Sequence, residues 1–180
     1  MIDHSSEEYR ASVERSLTGV DEGLVFNGTI DHARVVVEEA FKAAKAHVRI
    51  LSNHLDSECY DAEPVVAAAT AFVARADTKL DILVEAPSDM APQPAFLRAV
   101  QAAGGTRVRF RIVPKEYLST YTFNFLTVDD TAFRFEDDRA KPIGVVAGGA
   151  ENGKIARHLV TVFDGLFSRS QPQELQLTPA

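Results

Sequence analysis

Between Ala33 and Val113 the chain switches repeatedly between two apolar periods, and that switching limits the folds open to it. Ala33, Val36, Val37, Ala40, Phe41 and Ala44 recur at the spacing of one helical face, with Asp31 or Thr29 placed to cap it. The run HVRILS at 47–52 reads as a short strand. Pro64 suits the first turn of a helix carrying Val65, Val66, Ala69, Phe72 and Val73, and residues 79–85 form the next strand. Phe96, Leu97 and Val100 mark a short helix that stops at Gly104-Gly105, before a third strand over 107–113. Helical crossovers between successive strands imply parallel pairing.

After Pro114 the connections shorten. TYTFNFLTVDD, at 120–130, reads as a strand entering a tight turn. A partner strand follows around Ala132–Phe135, then a run at 143–147, and short links make these antiparallel. Ile155, Leu159, Val162, Phe163 and Leu166 share one side of a closing helix, and a weak helix over 5–18 carries Tyr9, Val13 and Leu17. The expected class is α/β: a mixed β-sheet with helices on both faces, in a chain of 180 residues that suits one domain.

This element order, and the strand-turn-strand around Val128-Asp129-Asp130, resemble the phospholipase D superfamily over residues 24–170. That family's signature is H-x-K-x-x-x-x-D, followed shortly by G-S/T-x-N. Its His is the covalent nucleophile, and its Lys and Asn bind phosphate. With Asp129 in the Asp position, Thr122 falls on the His position and Asn124 on the Lys position. Glu136-Asp137-Asp138-Arg139 stands where G-S/T-x-N would be. A threonine hydroxyl without an adjacent base is a poor nucleophile, and losing the lysine removes a phosphate-holding charge. The resemblance therefore implies a phospholipase D-like domain without family-type catalysis, acting as a binding or regulatory module, with Thr122, Asn124 and Asp129 as vestigial positions. It further implies a homodimer, because catalytic members bring two half-sites together. Residues 1–23 read as a helical extension, 24–170 as the domain and 171–180 as a flexible tail.

Sites in open α/β sheets gather at the carboxyl ends of strands. Here those ends offer Asn53 and His54, with Asp56, Glu58, Cys59 and Tyr60 beyond, and Glu116 with Tyr117 after the third strand. Asn53, His54, Glu116, Tyr117, Thr122 and Asn124 are the candidate ligand-binding residues. The alternative function is an atypical phosphodiesterase or hydrolase using His54, Asp56 and Glu116. His54-x-Asp56-x-Glu58 is a weak metal pattern, better explained as loop residues capping the next helix. Cys59 reads as a small buried side chain rather than a nucleophile. Gly148–Gly153 lacks phosphate-loop spacing and reads as a flexible connection to the last helix. Arg107, Arg109 and Arg111 read as a stripe pairing with carboxylates such as Asp81 or Glu85, and Phe123, Phe125, Phe133 and Phe135 as cross-strand core.

Composition narrows the partners. A net charge of −7 argues against broad nucleic-acid binding. Cys59 is the single cysteine, so no internal disulfide and no cysteine-based zinc site is expected. No apolar run is long enough to span a membrane, and the polar N-terminus is unlike a signal peptide. The expectation is a cytoplasmic protein, bacterial in its economy, with no cofactor and no metal, and with a protein partner as the other candidate ligand.

Overall fold

The structure is a computed structural model that describes residues 4–90, 94–118, 120–139, 141 and 143–172. Six helices are described: α1 (His4–Leu17), α2 (Ile30–Ala43), α3 (Ser57–Tyr60), α4 (Glu63–Ala74), α5 (Ala95–Gly104) and α6 (Gly149–Arg169). Eight strands are described: β1 (Val25–Asn27), β2 (His47–Ser52), β3 (Lys79–Val84), β4 (Val108–Ile112), β5 (Asn124–Val128), β6 (Ala132–Glu136), β7 (Gly144–Ala147) and β8 (Gln171–Pro172). They form one sheet in the order β1-β7-β6-β5-β2-β3-β4-β8. β2, β3 and β4 are parallel, as the helical crossovers require, and every other pairing is antiparallel.

Helices lie on both faces, as expected from the alternation. Val36, Val37, Ala40 and Phe41 of α2 join Val65, Phe72, Phe96 and Val100 from α4 and α5 on one face, over Val48, Ile50, Leu80, Ile82 and Leu126. Val13 and Leu17 of α1 are buried in the same cluster. On the other face Leu159, Phe163, Leu166 and Phe167 of α6 cover Leu51, Leu83, Phe125 and Phe133. Thr29 caps α2 by accepting from the His32 N–H at 3.1 Å.

Local differences from the sequence reading follow from element length. β1 and β8 span three and two residues, too short to show a period. The strand read across 120–130 is ordered as β5 only from Asn124 to Val128. The reading of Gly148–Gly153 as a flexible connection is corrected: Gly149 to Gly153 form the start of α6. Glu22 sets that start, since its carboxylate accepts from the Ala150 N–H at 2.8 Å and its carbonyl from Asn152 Nδ2 at 3.0 Å. Arg107 precedes β4 rather than continuing a three-residue stripe, and donates to the Val73 carbonyl at 2.7 Å. Gln171 and Pro172, at the head of the expected tail, pair with β4, and 173–180 lie outside the described residues. No described helix is long and apolar enough to cross a membrane.

A sheet covered on both sides must answer its own charges. Asp81 of β3 is 1% exposed. Arg109 of the neighbouring strand donates to both of its oxygens at 2.6 Å, and His47 Nε2 stands 2.7 Å away. Arg109 and Arg111 also lie over the Phe167 ring, 4.7 and 4.2 Å from its centroid. Burial pushes the Asp81 carboxyl up, but the hydrogen bonds from His47 and Arg109 outweigh it and hold the group below the ordinary range.

A folded value below the unfolded one means stability that is present above the unfolded Asp value, about 3.9, and lost as pH falls through the folded value. Asp81→Asn should therefore lower unfolding free energy by roughly 2 kcal/mol at neutral pH. Urea titrations of both proteins across pH 7 to 2.5 should show the gap closing at the acid end. A gap constant over that range would remove the carboxylate from the account.

Candidate functional site

On the face covered by α2, side chains at the carboxyl end of β2 and the adjoining ends of β5 and β6 line a cavity of about 220 Å³. Period-2 alternation places Asn124 and Leu126 of β5, and Arg134 and Glu136 of β6, on that face, while Phe125 and Phe133 turn to α6. Ser52 and His54 border the cavity from the end of β2. Ile30 and Ala33 of α2 and Glu58, Cys59 and Tyr60 of α3 close it from above, and Arg139 and Lys141 stand at its mouth.

The floor is a connected polar network. Arg134 is 6% and Glu136 8% exposed, and Arg134 Nη2 donates to Glu136 Oε1. Glu136 Oε2 accepts from Asn124 Nδ2 at 3.1 Å, and Asn124 Oδ1 accepts from the Asn53 N–H at 2.9 Å. Arg134 Nε donates to Asn27 Oδ1 at 3.3 Å. Gly144 makes room for this arrangement: a Cβ there would stand 2.9 Å from Asn27 Oδ1 and 2.8 Å from the Phe135 carbonyl oxygen. At the mouth, Arg139 is a strap. It donates to both oxygens of Glu85 at 2.5 and 2.8 Å and to the carbonyls of Tyr121 and Phe123, tying the entry to β5 to the end of β3.

The sequence candidates divide between this cavity and other places. Asn124 and His54 line it, together with Asp56, Glu58, Cys59 and Tyr60, while Asn53 contributes its backbone to the floor. Asp56 is the N-cap of α3, accepting from the Glu58 N–H at 2.9 Å. Thr122 is exposed ahead of β5 and is not part of the lining. Glu116 is exposed, and Tyr117 packs with the cluster under α6, on the opposite side of the sheet. Asp129 lies at the far end of β5. Its carboxylate accepts from the N–H groups of Lys45, Ala46 and His47 at 3.0, 2.8 and 2.8 Å, from a backbone at φ 53°.

The chemistry available is limited by these partners. Ser52 Oγ donates to the His54 carbonyl. Burial pushes the Cys59 thiol up to about 12, with Arg134 pulling it only partly back, so it is a thiol at neutral pH. Among the described residues no group of three or more His, Cys, Asp or Glu side chains is placed to hold a metal ion. Sequence reasoning named Tyr60 and Arg139 but missed Arg134, which meets them in this lining. The available signal was two opposite charges, Arg134 and Glu136, alternating with Phe133 and Phe135 on a strand that the helix pattern covers on both faces.

A family model described as "Domain of unknown function (DUF7931)" matches residues 29–176. No curated protein matches the chain. Among solved structures the fold is similar to TrmBL2, described as an archaeal chromatin protein with a novel mode of DNA binding, at TM-score 0.59 and 12% identity. That match covers 86% of this chain and 54% of TrmBL2, so this chain spans about half of that protein. The phospholipase D family member Nuc from Salmonella typhimurium is similar at TM-score 0.59 and 15% identity, over 85% of this chain and 97% of Nuc. The phosphatidylserine synthase of Haemophilus influenzae Rd KW20 is similar at TM-score 0.54 and 12% identity, over 84% of this chain and 39% of the synthase.

The Asp129 cap makes a quantitative prediction. Asp129→Ala removes acceptors for three N–H groups and places a Cβ-bearing residue without local hydrogen bonding at positive φ, for a cost of roughly 3 kcal/mol. Asp129→Asn keeps an acceptor oxygen and tolerates that backbone, so it should cost about half as much. Chemical denaturation of the two variants measures this, and an alanine variant as stable as the asparagine one would contradict it.

Proposed function

The chain belongs to the DUF7931 family and has a phospholipase D-like fold, and from that premise we propose that it is a catalytically silent binding or regulatory module. One observation carries this reading. Asn124, at the position where the resemblance places the phosphate-holding lysine, spends both ends of its amide on the protein itself, on Glu136 and on the Asn53 backbone. A group committed in this way is not offered to a phosphodiester. Around it the hydroxyl of Ser52 is already donating, the Cys59 thiol is protonated, and Thr122 stands outside the lining. The cations of the lining are each paired with a carboxylate, Arg134 with Glu136, Arg139 with Glu85 and Lys141 with Asp138, so no surplus positive charge stands ready for a phosphodiester.

In this reading residues 24–170 are the phospholipase D-like domain, residues 1–23 a helical extension on it, and the working unit a homodimer. The chain should give no turnover of bis(p-nitrophenyl) phosphate or of single- and double-stranded DNA above a buffer blank. Turnover that survives repurification and disappears in His54→Ala would reverse the assignment in favour of the hydrolase alternative. Light scattering at micromolar concentration should return twice the chain mass, and a monomer there would remove the dimer from the proposal.

A further inference from the structure

The sheet has two edges, and they are finished differently. At one, β8 covers β4 with two residues, the second of which is Pro172, and a proline has no N–H to extend a ladder. At the other, β1 pairs with β7 on one side and with no described strand on the other. β1 is Val25-Phe26-Asn27, with neither a charge nor a proline to discourage further pairing. A Cβ placed on Gly28, the next residue, would meet nothing within 4 Å.

The side chains at this edge are exposed as well. Phe26 is 67% exposed and stands opposite Val145, which packs on the cluster under α6. Phe26 is therefore on the α6 face, beyond the cover of that helix, which lies over β2, β5 and β6. The same alternation, carried past the strand ends, sets Leu24 and Ile143 on that face. Ile155 of α6 follows by one turn Asn152, which reaches the Glu22 carbonyl in the link between α1 and β1. Val20 lies in that link, where a Cβ on Gly19 would stand 2.9 Å from Gly149 Cα at the start of α6. These are five of the six exposed large hydrophobic residues among the described residues, so the exposure is concentrated here. Together they bare on the order of 500 Å² of apolar surface, a patch of the size that commonly marks an interaction site.

We propose that a second copy of this chain covers this edge, the two β1 strands pairing antiparallel across a two-fold axis at Phe26 so that the two sheets run on as one. The inference rests on the homodimer reading and names the surface that forms the dimer. Self-complementarity selects this occupant. A two-fold axis at Phe26 puts each ring beside the partner's Phe26 on one face, with Cβ atoms about 5 Å apart, an aromatic cross-strand pair. No charged side chain on β1 meets its like. Three residues a side make a short ladder, so the apolar side chains supply most of the association. Their area, with the strand backbone between them, approaches the roughly 800 Å² per partner of a standard interface. Each cavity stays whole within its own chain. With strands about 4.8 Å apart, the β5–β6 pairs of the two copies stand roughly 30 Å from one another across the joined sheet, which gives two separate sites rather than one shared cleft.

The test uses the full chain, with light scattering and sedimentation across a micromolar dilution series. Phe26→Lys should weaken the dimer by a factor on the order of 100 or more, because it removes two buried rings and sets two ammonium groups side by side. Its circular dichroism should match the wild type, since Phe26 is exposed in the single chain. Leu118→Lys changes an exposed apolar residue that follows β4, far from this edge, and should leave the dimer intact. Phe26→Cys at high micromolar concentration should form an intermolecular disulfide on mild oxidation, whereas the wild type should not, because Cys59 is buried. A wild-type chain that is monomeric throughout removes the homodimer reading and this interface together. A dimer that survives Phe26→Lys, that is weakened equally by Leu118→Lys, or that fails to cross-link in Phe26→Cys overturns the β1 interface and leaves the homodimer reading standing.

Discussion

A sheet sandwiched between helices leaves carboxylates such as Asp81, Glu85 and Glu136 little access to water, and in this protein each is answered by a cation. Asp81 is answered by Arg109 and His47 from the flanking strands, and Arg134 by Glu136 two residues along its own strand. Arg49 reaches Asp164 on α6 at 2.9 Å, and Arg111 reaches the Phe167 carbonyl at 2.6 Å. A buried ion pair is weak evidence for net stability, but removing one partner is costly because the other charge is left uncompensated. Such pairs therefore fix register. A slip of one residue between β3 and β4 would move Arg109 off Asp81 and turn Phe110 out of the core.

The same constraint separates what the sequence discloses from what it hides. Helical and strand periods made the mixed sheet and its parallel centre legible, because α2, α4 and β2 to β4 each carry enough apolar residues to show one period. The stripe of Arg109 opposite Val108 and Phe110 pointed to a carboxylate partner, and Asp81 is that partner. β1 and β8 left no pattern because two or three residues cannot show one. The cavity was half legible. His54, Asp56 and Glu58 lie in a recognisable loop after β2. Arg134 joins them only through the order of β5 beside β6 and the placement of α3 over both, which no local spacing encodes.

Asp129, where the resemblance places the signature aspartate, has a structural use of its own. Three backbone N–H groups at the entrance to β2 converge on its carboxylate, and its own N–H donates to the His47 carbonyl at 2.7 Å. That arrangement pins the β5–β6 turn to the loop after α2 and sets the antiparallel register of β5 on β2. Aspartate suits it twice, as an acceptor for several donors and as a residue that tolerates positive φ. The fold needs this residue whether or not anything reacts at the other end of the strand.

The two faces of the sheet differ in how completely they are filled. Under α6, a helix of 21 residues, Phe125, Phe133, Phe163 and Phe167 meet ring to ring or with aliphatic neighbours, and the layer closes. On the opposite face α2 starts only at Ile30, and α3 is a single turn, so the cover over Asn124, Arg134 and Glu136 is short and contributes the small side chain of Ala33. Because those three residues satisfy one another within the sheet, the helices above them are not drawn down to supply partners. The cavity persists between a floor that needs little and a roof of Ala33, Cys59 and Tyr60. A hydrophobic replacement of the floor would have let the roof collapse onto it, as apolar cores do, so the polar network is what keeps the space open.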